Sequence, residues 1–121
     1  MARRIVITGY GALCPLGTKV PKIWENIVAG KSNIRMIPDE YASEMRVRFA
    51  GLVSEDFDPL DCFSKKELRK LDPCLQYGMV AAREAVAMAN LAQISNKDRI
   101  GVSIGSGIGG IKFIEDTAKV A

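Results

Sequence analysis

The sequence predicts an α/β protein, and three observations carry the prediction. Near the start, the consecutive β-branched residues Ile5, Val6 and Ile7 lead through a glycine-bearing loop into an apolar-faced helix. Near the end, Ile100 to Ile104 runs into a turn with four glycines in six residues, and a helical stretch follows from Ile111. Between them lies a long helical periodicity rich in alanine. Strand patterns alternating with helix patterns mark this class.

Taken in order, Arg3 to Thr8 reads as a buried strand, broken at Gly9-Tyr10-Gly11. A loop runs to Gly17. Pro21 suits a first helical turn, with Thr18 in the cap region. Ile23, Trp24, Ile27 and Val28 then share one face, which makes Trp24 a core residue, and Gly30 ends the helix. Lys31 to Met45 carries turn residues and is assigned no long element. Arg46 to Val53 is a short strand candidate, followed by an acidic loop around Pro59.

Ser64 followed three residues later by Glu67 has capping-box spacing and predicts a helix start, continuing to Leu71. Asp72-Pro73 reads as a second cap and a first-turn proline, where the helix kinks or restarts. Leu75, Met79, Ala82 and Val86 recur at helical spacing through to Asn90. The alanines at 81, 82, 85, 87 and 89 predict close packing against a neighbour. Asn96 to Arg99 is a polar turn. The predicted order is therefore β-α-(β)-α-α-β-α.

Composition narrows the chemistry. With 48% hydrophobic and 26% charged residues over 121 positions, the chain is of ordinary globular type. No apolar window is long enough to span a bilayer. The apolar run after Arg3-Arg4 is too short for a secretory signal, which points to the cytosol or to an organelle reached by a lost transit peptide. A net charge of +3 argues against a nucleic-acid partner. The chain contains no histidine, so neither a Ser–His nor a Cys–His nucleophilic site can be built from it alone. Cys14, Cys62 and Cys74 stand far apart without a C-x-x-C, which speaks against a zinc site or a disulfide framework. Each reads as a small hydrophobe.

Two motifs stand out. Gly105, Gly107 and Gly110 fit G-x-G-x-x-G between a predicted strand and a helix, the spacing of a dinucleotide fingerprint. That fingerprint normally follows a first strand and is completed by an acidic residue about 20 positions on. Here it follows the last readable strand, and only eleven residues come after Gly110. The plainer reading is a tight turn packed under another element. Lys65, Lys66, Arg69 and Lys70 form two i,i+4 pairs, placing four cations in one stripe. Charge pattern alone favours a solvated helix face; the alternative is a docking surface for an acidic partner.

Five stretches add a resemblance. RRIVITGYGALCPLG, WENIVAGKSNI, RFAGLV, SKKELRKLDPCLQYGMVAAREA and RIGVSIGSGIGG are similar, in order and spacing, to the amino-terminal part of β-ketoacyl-acyl-carrier-protein synthases. The likeness is greatest to the type II elongating enzyme of fatty acid synthesis. It implies that residues 1–121 form an incomplete amino-terminal segment, the leading portion of a thiolase-like α/β/α/β/α layered fold, in a cytoplasmic homodimer. The implied reaction is decarboxylative Claisen condensation of an acyl thioester with malonyl-acyl-carrier protein, without a cofactor.

The family's nucleophilic cysteine and its two histidines lie in later motifs. Cys14, Cys62 and Cys74 do not match the nucleophile's motif, so no catalytic residue is assigned and the chain by itself is expected to be inactive. Two features carry over by resemblance. Lys66, Arg69 and Lys70, with Lys65 adjacent, match the helix that docks acyl carrier protein. Gly107 and Ile108 match the turn lining the acyl pocket near the dimer boundary, where the isoleucine gates chain length. The rival readings are a non-catalytic chain-length-factor relative and, more weakly, a dinucleotide-binding module. A segment of this kind is expected to leave strand edges and apolar helix faces uncovered.

Overall fold

The computed structural model describes residues 3–120. Its mixture of helices with a small sheet agrees with the α/β class, but two of the three predicted strands do not form. Residues 3–8 and 100–104 carry no ladder pairing. Ile5 is 92% exposed and Val102 84%. Both segments have strand-forming residues, yet a strand exists only against a neighbour that completes its hydrogen bonds. Neither has such a neighbour among the described residues.

The observed sheet pairs part of the stretch assigned no long element with the strand candidate at Arg46 to Val53. Strand β1 (Ile34–Met36) pairs antiparallel with β2 (Phe49–Gly51). The register is Ile34 to Gly51, Arg35 to Ala50 and Met36 to Phe49, and the Ile37 N–H donates to the Arg48 carbonyl at 2.8 Å. The predicted strand over Arg46 to Val53 thus holds in its centre. Period-2 alternation sets Arg35 and Ala50 on the more covered face and Ile34, Met36 and Phe49 on the open one. Arg35 donates from Nη2 to the Val53 carbonyl at 2.8 Å and pairs with Glu55. Between the strands, the single turn α2 (Asp39–Ala42) buries Ala42 completely.

Helix α1 (Val20–Val28) starts with Pro21 in its first turn, as expected. Its N-cap is Lys19, with no side-chain cap, so Thr18 does not serve. Gly30, at φ +65°, follows its end, a conformation that suits glycine. The buried face is Ile23 and Asn26, and Trp24 is 64% exposed, contrary to its assignment as core. The loop beneath α1 explains the rotation. Ile23 lies over Gly17, and the Asn26 Nδ2 donates to the Leu16 carbonyl at 2.7 Å. A surface of backbone carbonyls is met better by a carboxamide than by an indole.

Helix α3 (Lys65–Leu68) is one turn long, and α4 (Pro73–Met88) follows. The restart at Asp72-Pro73 is as read, but the helix before it ends at Leu68 rather than Leu71. A residue before proline is steered out of the α region, and Asp72 stands at φ −58°, ψ 146°. Buried Gln76 bridges the break, its Nε2 donating to the Leu71 carbonyl at 2.8 Å. Asn90, left-handed at φ 52°, closes the region beyond α4. Helix α5 (Ile111–Val120) follows the glycine turn.

The alanine row does pack closely. A Cβ on Gly9 would run into the Ala85 carbonyl and stand 2.9 Å from the Ala89 nitrogen. One on Gly11 would run into the Ala81 carbonyl and stand 2.8 Å from the Glu84 Cβ. The first loop therefore lies flush on α4, which is why these two positions accept only glycine. The cysteines are half-buried rather than core residues. The best-buried aromatic, Phe63, lies just before α3. There the Arg83 guanidinium stacks 4.7 Å over its ring, and Phe57 meets Tyr77 edge-on.

Candidate functional site

The basic stripe is built on a hydrogen-bonded knuckle. Asp58 caps the turn Pro59–Asp61 by accepting from the Leu60 N–H at 2.8 Å. Three residues later the capping box closes in both directions. The Ser64 Oγ accepts from the Glu67 N–H at 3.3 Å, and the Glu67 Oε2 accepts from the Ser64 N–H at 2.8 Å and its hydroxyl at 2.7 Å. The Ser64 backbone N–H, then its hydroxyl, hold the Glu67 carboxyl below the usual glutamate range, and Arg83 adds to this.

That box orients the cations. Lys65 and Lys66 lie on α3, while Arg69 is its C-cap, still with right-handed helical dihedrals. The Lys70 N–H donates to the Glu67 carbonyl at 2.8 Å. All four are exposed, and none makes an ion pair with another described residue. The stripe thus survives the early end of the helix, because the turn after Leu68 keeps helical geometry. Behind it, the Arg83 Nη1 donates to the Cys62 carbonyl at 2.6 Å, tying the knuckle to α4. The result is a surface of positive charge with no internal neutralisation, on a base fixed by caps.

The glycine turn sits against the other end of this knuckle. Gly109 and Gly110 have φ of +52° and +54°, which favours glycine. A Cβ on Gly109 would lie 3.2 Å from the Ser106 Oγ and 3.7 Å from the Cys74 Sγ. One on Gly110 would lie 3.7 Å from the Asp72 carboxylate. Asp72 itself caps α4, its Oδ1 accepting from the Cys74 N–H at 2.8 Å. Two adjoining cavities of about 310 and 360 Å³ lie here, sharing Asp72, Cys74, Ser106, Gly109 and Gly110. Lys70, Leu75 and Phe113 complete the first. Gly107 and Ile108 line neither: Gly107 faces open space and Ile108 is 72% exposed. The two sequence motifs are therefore brought together through Lys70 and the start of α4, not through Ile108.

Glu84 and Arg83 were not read as functional or structural anchors from the sequence. Glu84 reaches two backbone N–H groups far away in the chain, which no local spacing reveals. Asp72-Pro73 was the legible signal for the cavity, since it places a helix start beside whatever packs on it. Among the described residues, no three His, Cys, Asp or Glu side chains cluster to hold a metal, and no helix is long and apolar enough to cross a membrane.

The model of the β-ketoacyl synthase N-terminal domain matches residues 2–120. The chain belongs to the β-ketoacyl synthase family. Among curated relatives, the 3-oxoacyl-[acyl-carrier-protein] synthase 2 of Vibrio harveyi is 44% identical over 114 residues, covering 93% of this chain. The proteins of the same name from Coxiella burnetii and Staphylococcus aureus (strain COL) are 43% and 46% identical over the same length. The family resemblance carried by the five motifs is borne out. The chain spans 27% of the length of each of these β-ketoacyl synthases.

Proposed function

We propose that this segment belongs to a 3-oxoacyl-[acyl-carrier-protein] synthase that elongates fatty acyl chains by decarboxylative condensation with malonyl-acyl-carrier protein. The names and identity of the relatives support the family activity. The observation that carries this segment's own role is the set of four exposed cations, Lys65, Lys66, Arg69 and Lys70, without ion pairs among the described residues. An acidic acyl carrier protein is the partner this surface suits, because unpaired charge steers and orients an oppositely charged protein. Gly107 and Ile108 line the acyl pocket in this reading, and Ile108 limits chain length. The layered thiolase-like fold, the homodimer and the cytoplasmic setting belong to the same proposal. The reaction uses no cofactor, and its nucleophilic cysteine and histidines come from outside residues 1–121, so the segment alone does not condense acyl groups.

The test is charge reversal in the complete protein. Lys66→Glu with Arg69→Glu weakens carrier-protein binding about tenfold or more at low salt and flattens its salt dependence, since fewer screened charges then contribute. Unchanged carrier affinity in the double variant removes the docking role while leaving the family membership intact.

A further inference from the structure

Two further cavities adjoin where the first loop meets α1, sharing Pro15, Leu16 and residues 31–33. The smaller, of about 200 Å³, is polar and holds a cation and a carboxylate that do not meet. Lys31 and Asp56 both line it and both are exposed, yet neither forms an ion pair with the other or with another described residue. Lys22, also in the lining, is already paired with Glu25 at 3.1 Å. The Asp56 Oδ2 accepts the Ser54 hydroxyl at 3.3 Å, which leaves its Oδ1 open. Asn26 adds a demand of its own. It is only 9% exposed, its Nδ2 is used on the Leu16 carbonyl, and its Oδ1 meets no donor among the described residues. A buried acceptor without a donor is costly, so an N–H is the group this wall lacks. The second cavity, of about 290 Å³, adds Cys14 and Ile34 and is the more apolar of the two.

Opposite charges held apart across a small cavity complement a molecule that carries both in the reverse order. We propose that this double cavity binds a free aliphatic α-amino acid. Its ammonium lies on Asp56, facing the Asn26 Oδ1, its carboxylate lies on Lys31, and its side chain packs against Cys14 and Ile34. A fatty carboxylate does not suit the site, because it sets a second carboxylate beside Asp56 and brings no N–H to Asn26. A metal cation does not suit it either, because Lys22 and Lys31 share the lining. The site is independent of the carrier-docking stripe and of the acyl turn, none of whose residues lines it.

The experiment titrates L-leucine into the complete protein, with no acyl substrate and no carrier protein, and follows binding by saturation-transfer NMR. Saturable binding is expected. Two analogues each remove one charge: 4-methylpentanoate is leucine without its ammonium, and 3-methylbutylamine is leucine without its carboxylate. Each binds about tenfold or more weakly, because a charge-assisted contact is lost. Lys31→Gln and Asp56→Asn, both changes on exposed side chains, each weaken L-leucine about tenfold, in a complementary pattern. Lys31→Gln leaves the binding of 3-methylbutylamine unchanged, and Asp56→Asn leaves that of 4-methylpentanoate unchanged. A wild-type protein with no saturable L-leucine binding overturns the proposal. So does L-leucine binding that neither variant weakens, or that 4-methylpentanoate equals, which is the result a hydrocarbon pocket elsewhere in the protein would give.

Discussion

The Glu84 carboxylate accepts the Val20 backbone N–H at 3.0 Å, across 64 positions of sequence. Its other oxygen accepts the Ala12 N–H at 3.1 Å. One side chain on α4 thus fixes the first loop and the start of α1 together. It does for α1 what a local cap does elsewhere, since Lys19 offers no side-chain bond. A carboxylate at a helix N-terminus is also on the favourable side of the helix dipole.

Glu84→Ala should therefore destabilise the complete protein by about 1–3 kcal/mol, the range for leaving half-buried donors unpaired. Glu84→Gln should fall between, because an amide keeps one acceptor and turns an NH2 toward a donor. Urea unfolding midpoints measure this, and hydrogen exchange should show Val20 and Ala12 opening first. Equal midpoints for wild type and Glu84→Ala would mean that the clamp adds nothing.

Gly9 and Gly11 test the same contact from the other side. Alanine at either position puts a Cβ into the backbone of α4, and neither partner is a flexible side-chain end that gives way. Each substitution should cost about 1–3 kcal/mol, as overpacking does. Gly105→Ala is the control, with nothing within 4 Å of its added Cβ. Thermal melts of the three variants should separate the first two from the third.

Local chemistry was the legible part of this molecule. Ser64 with Glu67, Asp72 with Pro73, Pro21 and Gly30 each act within a few residues, and each appears where its spacing put it. The alanine row on α4 was legible as a packing surface, though not that Gly9 and Gly11 would fill it. The strand at Arg46 to Val53 was legible in its centre, but the two outer strands and its partner were not, for a different reason. Ile5 to Ile7 and Ile100 to Ile104 have the right residue types, but pairing is a property of two segments. The short β1–β2 ladder arose instead where Ile34 to Met36 found Phe49 to Gly51. Trp24 failed similarly, because which face of α1 turns inward depends on the loop beneath it, where Asn26 meets the Leu16 carbonyl and Ile23 lies over Gly17.

Glu67 gives a pH prediction with a definite sign. Its carboxyl is held below the usual glutamate range chiefly by the Ser64 backbone N–H and hydroxyl. A depressed folded value means that the ionised form is favoured by folding. Its contribution is complete above the ordinary glutamate range and is lost only as pH falls through the lower, folded value. A carbon-13 titration of the Glu67 carboxyl should show a midpoint below that of other exposed glutamates. Ser64→Ala should move it upward, while its loss of the cap leaves the first turn of α3 less protected from exchange. Identical midpoints in the two proteins would detach the capping box from the titration.

Ile108 offers the sharpest test of the acyl-pocket role, because its surroundings separate specificity from stability. It is 72% exposed among the described residues, so no contact within this segment opposes Ile108→Phe. If its side chain limits the acyl chain, the larger ring removes room for the last methylenes of the longest substrate. The kcat/KM for that substrate should fall about tenfold or more relative to a shorter one, the scale set by one or two methylenes in a pocket. The complete synthase with acyl-carrier substrates of graded length supplies the measurement, read as a ratio so that partial loss of active protein cancels. A uniform fall at all lengths would place Ile108 outside the pocket. A shift toward shorter chains with an unchanged melting temperature is what a gate requires.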